Sequence, residues 1–334
     1  MAALRRRGLS VEVLALGDPA GAPEGVQLQV RPRAGMARRA LRAVQLPWQA
    51  RGRVLLTLDP DVVPAAVAAA RLRHRVLVAD VHEDYVALLA DRAWARRARR
   101  LQQPLAARCV ALAGRAELTV VADDHVPPAA AQCRARLVVP NLPDPALLPA
   151  PAPVPDEPPL RAVYVGDVRT SRGLREMVEA VAAAPPWELD VVGPVAAADQ
   201  DWLWQRLAVG DLAGAAGPRI RVHGRRPPVT AWRLAAGASV GMLLLADTPA
   251  FRAAVPTKLY EYLAAGIAPL ATPLPRVVAL LSAAGTGAVV PDADAAGKQL
   301  RAWAEDPAAL AAARRAAAAW ATANLRTSPW DGPP

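Results

Sequence analysis

A lysine and a glutamate stand one helical turn apart in VPTKLYEYLAAG, residues 255–266. Lys258 would add a full positive charge to a helix start, where the helix dipole already favours phosphate. Glu261 would lie on the same helix face, and a carboxylate accepts hydrogen bonds from two hydroxyls of a sugar such as ribose. The pair fits a nucleotide site, and the alternative is an ordinary surface ion pair at i,i+3 spacing.

The residues around this pair predict how the helix start is built. Pro256 suits the first turn, because a proline there loses no hydrogen bond. We expect the amides of Thr257, Lys258 and Leu259 to be free and to point out of the helix. The apolar run SVGMLLL, residues 239–245, precedes the segment and predicts a buried strand. Strand, loop and helix start is the arrangement with which α/β proteins hold anionic ligands.

Further strand–loop segments carry residues suited to the same task. YVGDVRTSRGLREMVEAV, residues 164–181, is predicted to be a strand, a glycine-containing loop and a helix. Arg172 in that loop can bind phosphate oxygens bidentately, and the alternative is a solvated cation at a helix start. LDVVGP (189–194) and IRVHGRRP (220–227) each end a predicted strand in glycine, which lets a backbone approach a ligand closely.

In the first half of the chain, polar side chains cluster where a predicted strand ends. VLVADVHEDYVALL, residues 76–89, places Asp80, His82, Glu83 and Asp84 at that point. The carboxyl ends of parallel strands are where α/β proteins carry their sites. A lone histidine is more often structural, so the cluster by itself does not define a function.

Eleven short apolar runs predict the strands that position these residues. They alternate with segments long enough for helices, which indicates parallel sheets covered on both faces. The runs are residues 11–16, 54–58, 75–80, 118–122, 136–140, 162–166, 188–193, 220–224, 239–245, 268–272 and 287–290.

A proline-saturated segment at 140–160 divides the chain, because it can form neither a helix nor a central strand. We therefore expect a first domain at 1–145, a linker or hinge at 146–159, and a second domain at 160–334. Two such domains usually bind ligand in the cleft between them.

Composition limits the class of protein. The chain has 334 residues and is 53% hydrophobic, enough for two sizeable cores. Two cysteines, Cys109 and Cys133, are too few for a disulfide scaffold and favour an intracellular protein. The sequence shows neither a run of eighteen apolar residues nor a signal peptide, so we expect a cytoplasmic protein.

The net charge of +10 indicates attraction to an anion, unless it merely reflects an arginine-rich composition. Residues 92–108, RAWARRARRLQQPLAAR, predict a basic helix with Trp94 that could lie on an anionic membrane surface at its inner face. The alternative is a solvated helix face. Nucleic-acid binding is not expected, because no nucleic-acid-binding motif accompanies the charge.

The stretch PTKLYEYLAAGIAPLATPLP closely resembles the donor-site motif of the GT-B glycosyltransferases, in the large retaining family called family 4 or group 1. The resemblance implies that Lys258 and the helix amides that follow it hold the diphosphate of a nucleotide sugar. Mapped by position, these amides belong to Leu259 and Tyr260. Glu261 would hold the ribose.

The resemblance extends to the other segments of the second half. The family's second diphosphate ligand is the basic residue before glycine, which is Arg172 here. The family often carries an arginine directly after the strand glycine, but Asp167 stands there, and Arg169 is the nearest substitute. The loop after IRVHG would lie against the nucleotide base. These segments add Gly166, Arg169, Arg172, Gly173, Gly224 and Arg225 to the donor-binding residues.

In the first half, DVHE resembles the family's acceptor-side motif, whose histidine lies beside the reacting sugar. His82 would take that role, with Asp80 and Glu83 on the acceptor side. VVPNLPD resembles the segment before the family's hinge, with Asn141 as its asparagine. The family normally opens with a strand and a glycine-bearing loop, so the N-terminal domain is expected to lack its first strand.

These observations predict an α/β protein of the GT-B fold, with two Rossmann-like, doubly wound parallel-sheet domains facing a cleft. Its expected activity is that of a glycosyltransferase of the hexosyltransferase class, acting in glycan biosynthesis. It would move a sugar from a nucleotide diphosphate donor to a hydroxyl of an unidentified glycan, lipid or small-molecule acceptor, with retention. His82, Arg172 and Lys258 would be catalytic, without a metal or cofactor, because the cations would stabilise the departing diphosphate.

Two alternatives stay open. Ala253 occupies the position where many members of the family carry a first glutamate beside the donor sugar. A GT-B-like protein that binds a nucleotide sugar or a partner without turnover would fit that departure. A nucleotide-sugar epimerase of the same fold is the other alternative.

Overall fold

The computed structural model describes residues 4–5, 7–17, 25–32, 35–91, 99–143, 148, 153–214 and 217–325. They form two compact units, which meet in the sequence between Asn141 and Leu142. Most of the first half of the predicted linker, at 146–159, lies outside the described residues. Its described part, at 153–159, contains neither helix nor strand.

The second unit is built on a six-stranded parallel sheet with the order β11-β8-β7-β12-β13-β14. The strand order reverses beside β7, since β8 follows on one side and β12 on the other. In open α/β sheets this reversal opens a crevice at the carboxyl ends of the strands. The strands are β7 (Arg161–Val165), β8 (Glu188–Val192), β11 (Ile220–Gly224), β12 (Val240–Leu243), β13 (Ala268–Ala271) and β14 (Ala288–Val289); a two-stranded antiparallel ribbon, β9 (Ala213–Gly214) with β10 (Gly217–Pro218), lies apart from this sheet.

Helices cover both faces of this sheet, as the continuous apolar runs of the central strands require. The largest core among the described residues lies under α5 (Leu174–Ala182) and α11 (Ala293–Glu305) and includes Met177, Trp187 and Leu300. The indole of Trp187 donates a 2.7 Å hydrogen bond to the carbonyl of Leu300. On another part of the sheet, Tyr262 packs with Trp232 beside β7. The helices are α5 (Leu174–Ala182), α6 (Ala197–Leu207), α7 (Pro228–Ala235), α8 (Pro249–Ala253), α9 (Thr257–Ala264), α10 (Pro275–Ala284), α11 (Ala293–Glu305) and α12 (Pro307–Asn324).

The first unit contains a four-stranded parallel sheet with the order β3-β4-β5-β6 and, separately, the parallel pair β1-β2. Among the described residues, β1 and β2 pair only with each other. The strands are β1 (Glu12–Leu16), β2 (Gln27–Arg31), β3 (Val54–Thr57), β4 (Val76–Val81), β5 (Leu118–Val121) and β6 (Arg136–Val138), and the helices are α1 (Met36–Gln49), α2 (Val63–Leu72), α3 (Tyr85–Asp91) and α4 (Arg99–Ala113).

In the first unit, one face of the four-stranded sheet forms the core. Leu55 and Leu77 point from the strands into a cluster with side chains of α2 and α4, such as Val67 and Val110. On the alternate positions Val54, Leu56, Val76 and Leu137 are exposed. Because side chains alternate along a strand, these four side chains lie on the opposite face from Leu55 and Leu77. On the same face Val120 of β5 is buried, so this face is covered over part of the sheet in the described residues.

All eleven predicted strands are present at their positions, and the expectation of parallel sheets is confirmed. The predicted basic helix at 92–108 is described only from Arg99 onward, so Trp94 lies outside the described residues. Contact of that segment with an anionic membrane therefore stays a prediction. No helix in the described part of the chain combines the length and the apolar character that a membrane span requires.

Candidate active site

Lys258 lies in the first turn of α9, the helix that approaches the carboxyl ends of β7 and β12. Its ammonium nitrogen, Nζ, lies 5.2 Å from the centroid of the Tyr164 ring. Pro256 takes the N-cap position, with φ −64° and ψ 131°, so it precedes the helix and does not belong to its first turn as the sequence predicted. The lysine is nevertheless at the helix start, where the helix dipole favours an anion.

Leu259 does not offer the free amide that the sequence predicted. Its N–H donates a 2.9 Å hydrogen bond to the carbonyl of Pro256, which closes the first turn of α9. Its side chain is buried in a cluster with Leu243 and Val277. Leu259 therefore anchors the helix start. The expectation of a free amide is wrong, and contact of this residue with a diphosphate stays a prediction.

Gly166 follows β7 and brings its backbone against the end of the Lys258 side chain. It has a φ of 141°, and a Cβ at this position would collide with Nζ and Cε of Lys258. Glycine is the one residue that allows both this backbone conformation and this approach. The structure thus joins two predicted site residues that are 92 positions apart in the chain.

Tyr164 lies beneath these residues and was not predicted as part of the site. It is the third residue of the apolar run in β7 and is fully buried. Its hydroxyl donates a 2.8 Å hydrogen bond to the carbonyl of Asp167. Burial raises the pKa of the phenol, while the charge of Arg172, a hydrogen bond from Arg172 and the charge of Arg169 act in the opposite direction. In the sequence, a hydroxyl-bearing residue within an otherwise apolar run indicates that Tyr164 has a role besides packing.

Arg172 ends a short 3-10 turn, Thr170–Arg172, that leads into α5. Gly173 follows it in the left-handed conformation, with φ 83° and ψ 22°. A Cβ at Gly173 would collide with the carbonyl oxygen of Leu244, the residue after β12. This glycine lets the loop after β7 lie against the chain that leaves β12, which keeps Arg172 at the point where the strand order reverses.

Arg169 is paired with Asp167, the residue that stands where the family often carries an arginine. Its guanidinium contacts the carboxylate of Asp167, and both side chains are about one third exposed, at 28% and 37%. The carboxylate therefore neutralises part of the positive charge of this loop. Arg169 remains near Tyr164, so a role in binding an anion stays a prediction.

Glu261 lies one turn along α9 from Lys258 and is half-buried. Burial raises the pKa of its carboxyl group, and the positive charge of Lys258 opposes that shift. Desolvation is the larger of the two causes, so the ionised carboxylate is less stable here than in water. A partly desolvated acceptor next to a cation is suited to binding hydroxyl groups, because such donors would restore the lost hydration.

Three further donor-side predictions concern Gly224, Arg225 and Tyr260. Gly224 has a φ of 66°, but nothing lies within 4 Å of a Cβ built there, and Arg225 is exposed. The ring of Tyr260 stacks on Trp320 of α12, with centroids 6.3 Å apart. The stacking fixes α9 against α12, whereas contacts of these three residues with a nucleotide stay predictions.

In the first unit, His82 follows β4 and is held by two residues. The hydroxyl of Tyr85 lies 3.3 Å from its Nδ1 and 3.2 Å from its Nε2, and the same hydroxyl lies 3.1 Å from the carbonyl of Leu58. The side-chain amide of Asn141 donates a 3.4 Å hydrogen bond to the carbonyl of His82. The structure thus brings together two residues that the sequence singled out separately, and it adds Tyr85.

The acidic residues around His82 have different roles. Asp84 accepts hydrogen bonds from the amides of Val86 and Ala87, so it caps α3. Asp80 lies in β4, where burial raises its carboxyl pKa and the charge of His82 lowers it. Glu83 is exposed. The acceptor-side assignments of Asp80 and Glu83 stay predictions.

The second unit thus concentrates cations where its strand order reverses. Lys258 lies against the Tyr164 ring at the start of α9, and the charge of Arg172, in a glycine loop, lowers the pKa of the Tyr164 hydroxyl. Two cations so placed suit a ligand with two phosphates. Within the residues that the structure describes, no three His, Cys, Asp or Glu side chains converge as a metal site would require.

A sequence model of the family described as "Glycosyl transferase-like" matches residues 169–327. A search of curated protein sequences finds no match.

Solved structures share the fold across nearly the whole chain. HepE of Anabaena, crystallised with UDP-glucose, is 16% identical, with a TM-score of 0.66 over 93% of this chain and 94% of its own. Sucrose-phosphate synthase of Thermosynechococcus elongatus is 16% identical, with a TM-score of 0.69 over 96% and 86%. WaaG, a glycosyltransferase involved in lipopolysaccharide biosynthesis, is 16% identical, with a TM-score of 0.64 over 98% and 91%. The chain therefore has the fold of the GT-B glycosyltransferases, and its residues 169–327 match a glycosyl transferase-like domain.

Proposed function

We propose that this protein transfers a sugar from a nucleotide diphosphate donor to an acceptor hydroxyl. The observation that carries the proposal is the meeting of Lys258, Gly166 and Arg172 around Tyr164, where the sheet order reverses between β7 and β12. Such a reversal is where open α/β sheets bind ligands. Two cations beside a helix start suit the two phosphates of a nucleotide sugar.

Lys258 and Arg172 would assist the reaction by stabilising the negative charge of the departing diphosphate. When the bond between the sugar and the diphosphate breaks, negative charge develops on the departing phosphate oxygen. Lys258, Arg172 and the start of α9 are fixed before the reaction, so they would stabilise that charge without reorganising. Glu261 would accept hydrogen bonds from the ribose hydroxyls and orient the nucleotide.

The first unit would supply the acceptor side of the reaction. His82 lies after β4 with both ring nitrogens close to the Tyr85 hydroxyl and its carbonyl bonded to Asn141. The Tyr85 contact restrains the ring and the Asn141 bond restrains the backbone, which suits a residue beside a reacting sugar. We propose that His82 contacts the donor sugar or the attacking hydroxyl region.

Retention of the anomeric configuration and independence from metal are part of the proposal. Both rest on the family resemblance, and the two cations would perform the task that a metal performs on a diphosphate. Because HepE was crystallised with UDP and with UDP-glucose, uridine nucleotides are the first donors to test.

A second candidate is a nucleotide-sugar-binding protein without turnover. Ala253 favours it, because the residue offers no carboxylate where many family members have one. In the structure this residue ends α8, and its carbonyl accepts a 2.9 Å hydrogen bond from Arg276.

One experiment separates these candidates. The purified protein is incubated with UDP-glucose and a panel of other nucleotide sugars, and both binding and the release of nucleoside diphosphate are measured. A Lys258→Ala preparation serves as the control for contaminating activity. Release that exceeds the control supports transfer or donor hydrolysis. Binding without release supports the second candidate, and the absence of binding to every nucleotide sugar contradicts both.

A further inference from the structure

We infer that Tyr164 is a positioning residue for the diphosphate site, because one buried side chain contacts Lys258, Arg172 and the Gly166 loop together. The inference rests on the proposed function and adds to it a residue that does not itself touch the ligand. A ring inside a strand core would ordinarily serve packing alone. Three contacts made by different parts of this side chain distinguish it.

The hydroxyl group makes two of these contacts. It donates to the carbonyl of Asp167 at 2.8 Å, which fixes the backbone immediately after Gly166. Its second contact is with the Arg172 guanidinium, whose charge and hydrogen bonding oppose the rise that burial causes in the pKa of the phenol. A phenol has one hydrogen to donate and lone pairs to accept, so both bonds form at once. Because the side chain is fully buried, water does not replace either of them easily.

The aromatic ring makes the third contact. Lys258 Nζ lies 5.2 Å from its centroid, within the range of an attractive cation–π interaction. The same ammonium group lies against Gly166. The ring therefore holds the lysine over the carboxyl end of β7, on the side of the Gly166 loop. β7 is a central strand paired on both edges, so the backbone of Tyr164 is held rigidly. The side chain can therefore keep both cations in fixed positions.

A close control exists in the same part of the molecule. Tyr262 is also fully buried, and its hydroxyl lies 3.2 Å from the carbonyl of Met242 and 3.4 Å from that of Val163. Its ring packs against Trp232, at a centroid distance of 6.0 Å. Tyr262→Phe therefore removes a buried phenol hydroxyl bonded to backbone, as Tyr164→Phe does, without changing a contact to Arg172.

The test compares both variants by calorimetry with UDP and with uridine, together with their melting temperatures. We expect Tyr164→Phe to weaken UDP binding roughly tenfold and to leave uridine binding unchanged, because Arg172 loses a charge-assisted partner. Tyr262→Phe should lower the melting temperature by about as much as Tyr164→Phe does, without weakening UDP binding. A Tyr164→Phe protein that binds UDP like the parent, or that loses UDP and uridine affinity equally, would overturn the inference.

A double-mutant cycle shows whether Tyr164 acts through Arg172. In an Arg172→Ala background, Tyr164→Phe should have little further effect on UDP affinity, because the group it positions is already absent. A full tenfold loss in that background would contradict positioning through Arg172. A parent protein that binds no nucleoside diphosphate at all would overturn the proposed function, and this inference with it. The two failures are distinguishable. The proposed function fails if the parent does not bind UDP, whereas only the inference fails if the parent and Tyr164→Phe both bind UDP normally.

Discussion

The ammonium group of Lys258 lies 5.2 Å from the centre of the Tyr164 ring and directly against Gly166. The three residues come from a helix, a strand and a loop that are distant in the sequence, and they meet at the carboxyl end of β7. This relationship fixes the place of the cation before any ligand binds.

The glycine at 166 should be required for the position of the lysine. In Gly166→Ala the new methyl group would push Nζ of Lys258 away, and the φ of 141° would be strained. We expect UDP affinity to fall about tenfold, the loss of one charge-assisted hydrogen bond. Calorimetry of the folded variant measures it.

Gly237→Ala is the matched control, since Gly237 also has a positive φ, of 76°, but nothing lies within 4 Å of a Cβ there. Both variants should lose stability through backbone strain, by about 1 kcal/mol at Gly237 and by about 1–3 kcal/mol at Gly166, whose φ lies outside the left-handed well. Only Gly166→Ala should lose UDP affinity. Equal affinities for UDP in the two variants would contradict the role of Gly166.

Glu261→Gln should impair turnover while the protein remains folded, because the carboxylate is assigned to ribose and not to packing. A neutral amide accepts weaker hydrogen bonds from hydroxyls than a carboxylate does. We expect kcat/KM for the nucleotide sugar to fall by at least tenfold, a loss of about 1.4 kcal/mol in transition-state stabilisation. Turnover equal to that of the parent, at matched melting temperatures, would count against the assignment.

Glu261 should also make stability depend on pH in a defined direction. Burial raises its carboxyl pKa above the ordinary 4.5, so folding favours the protonated form. The resulting stabilisation is fully present below the unfolded pKa and is lost as pH rises through the folded pKa. The melting temperature of Glu261→Gln relative to the parent should therefore increase as pH rises from about 4 to 7. A difference that stays constant or decreases over this range would contradict the raised pKa.

His82→Ala should separate turnover from diphosphate binding. The side chain belongs to the first unit, whereas Lys258, Arg172 and Tyr164 belong to the second. We expect kcat to fall by roughly 100-fold, as for the loss of a residue at the reacting centre, with UDP affinity unchanged. Steady-state kinetics and calorimetry on one preparation give both quantities. A variant with normal kcat would remove His82 from the reacting region.

The sequence predicted the strands well because continuous apolar runs are the strongest local signal of buried parallel strands. The strand Gln27–Arg31 was missed, since its polar and apolar residues alternate and it is only half covered. Lys258 and Arg172 were recognised from a family motif.

The contacts within the site could not be predicted in the same way. The position of Tyr164 beneath two cations depends on which strands are neighbours, and the hydrogen bond of Leu259 to Pro256 depends on how one turn closes. Asp84 shows the same limit, because an aspartate before a helix fits both a ligand and a cap. The local sequence shows which residue types are present. The roles of Tyr164, Leu259 and Asp84 depend on the residues that surround them in the folded protein.

The most direct test of the central claim is the affinity of UDP for the Lys258→Ala and Lys298→Ala variants, measured by calorimetry beside the parent. Lys298 is the other lysine of the chain, and it forms an exposed ion pair of 2.7 Å with Asp294. If Lys258 binds the diphosphate, Lys258→Ala weakens binding by about 1.5–3 kcal/mol, or roughly 10- to 150-fold, and Lys298→Ala leaves it unchanged. Equal UDP affinity in the parent and Lys258→Ala would contradict the account.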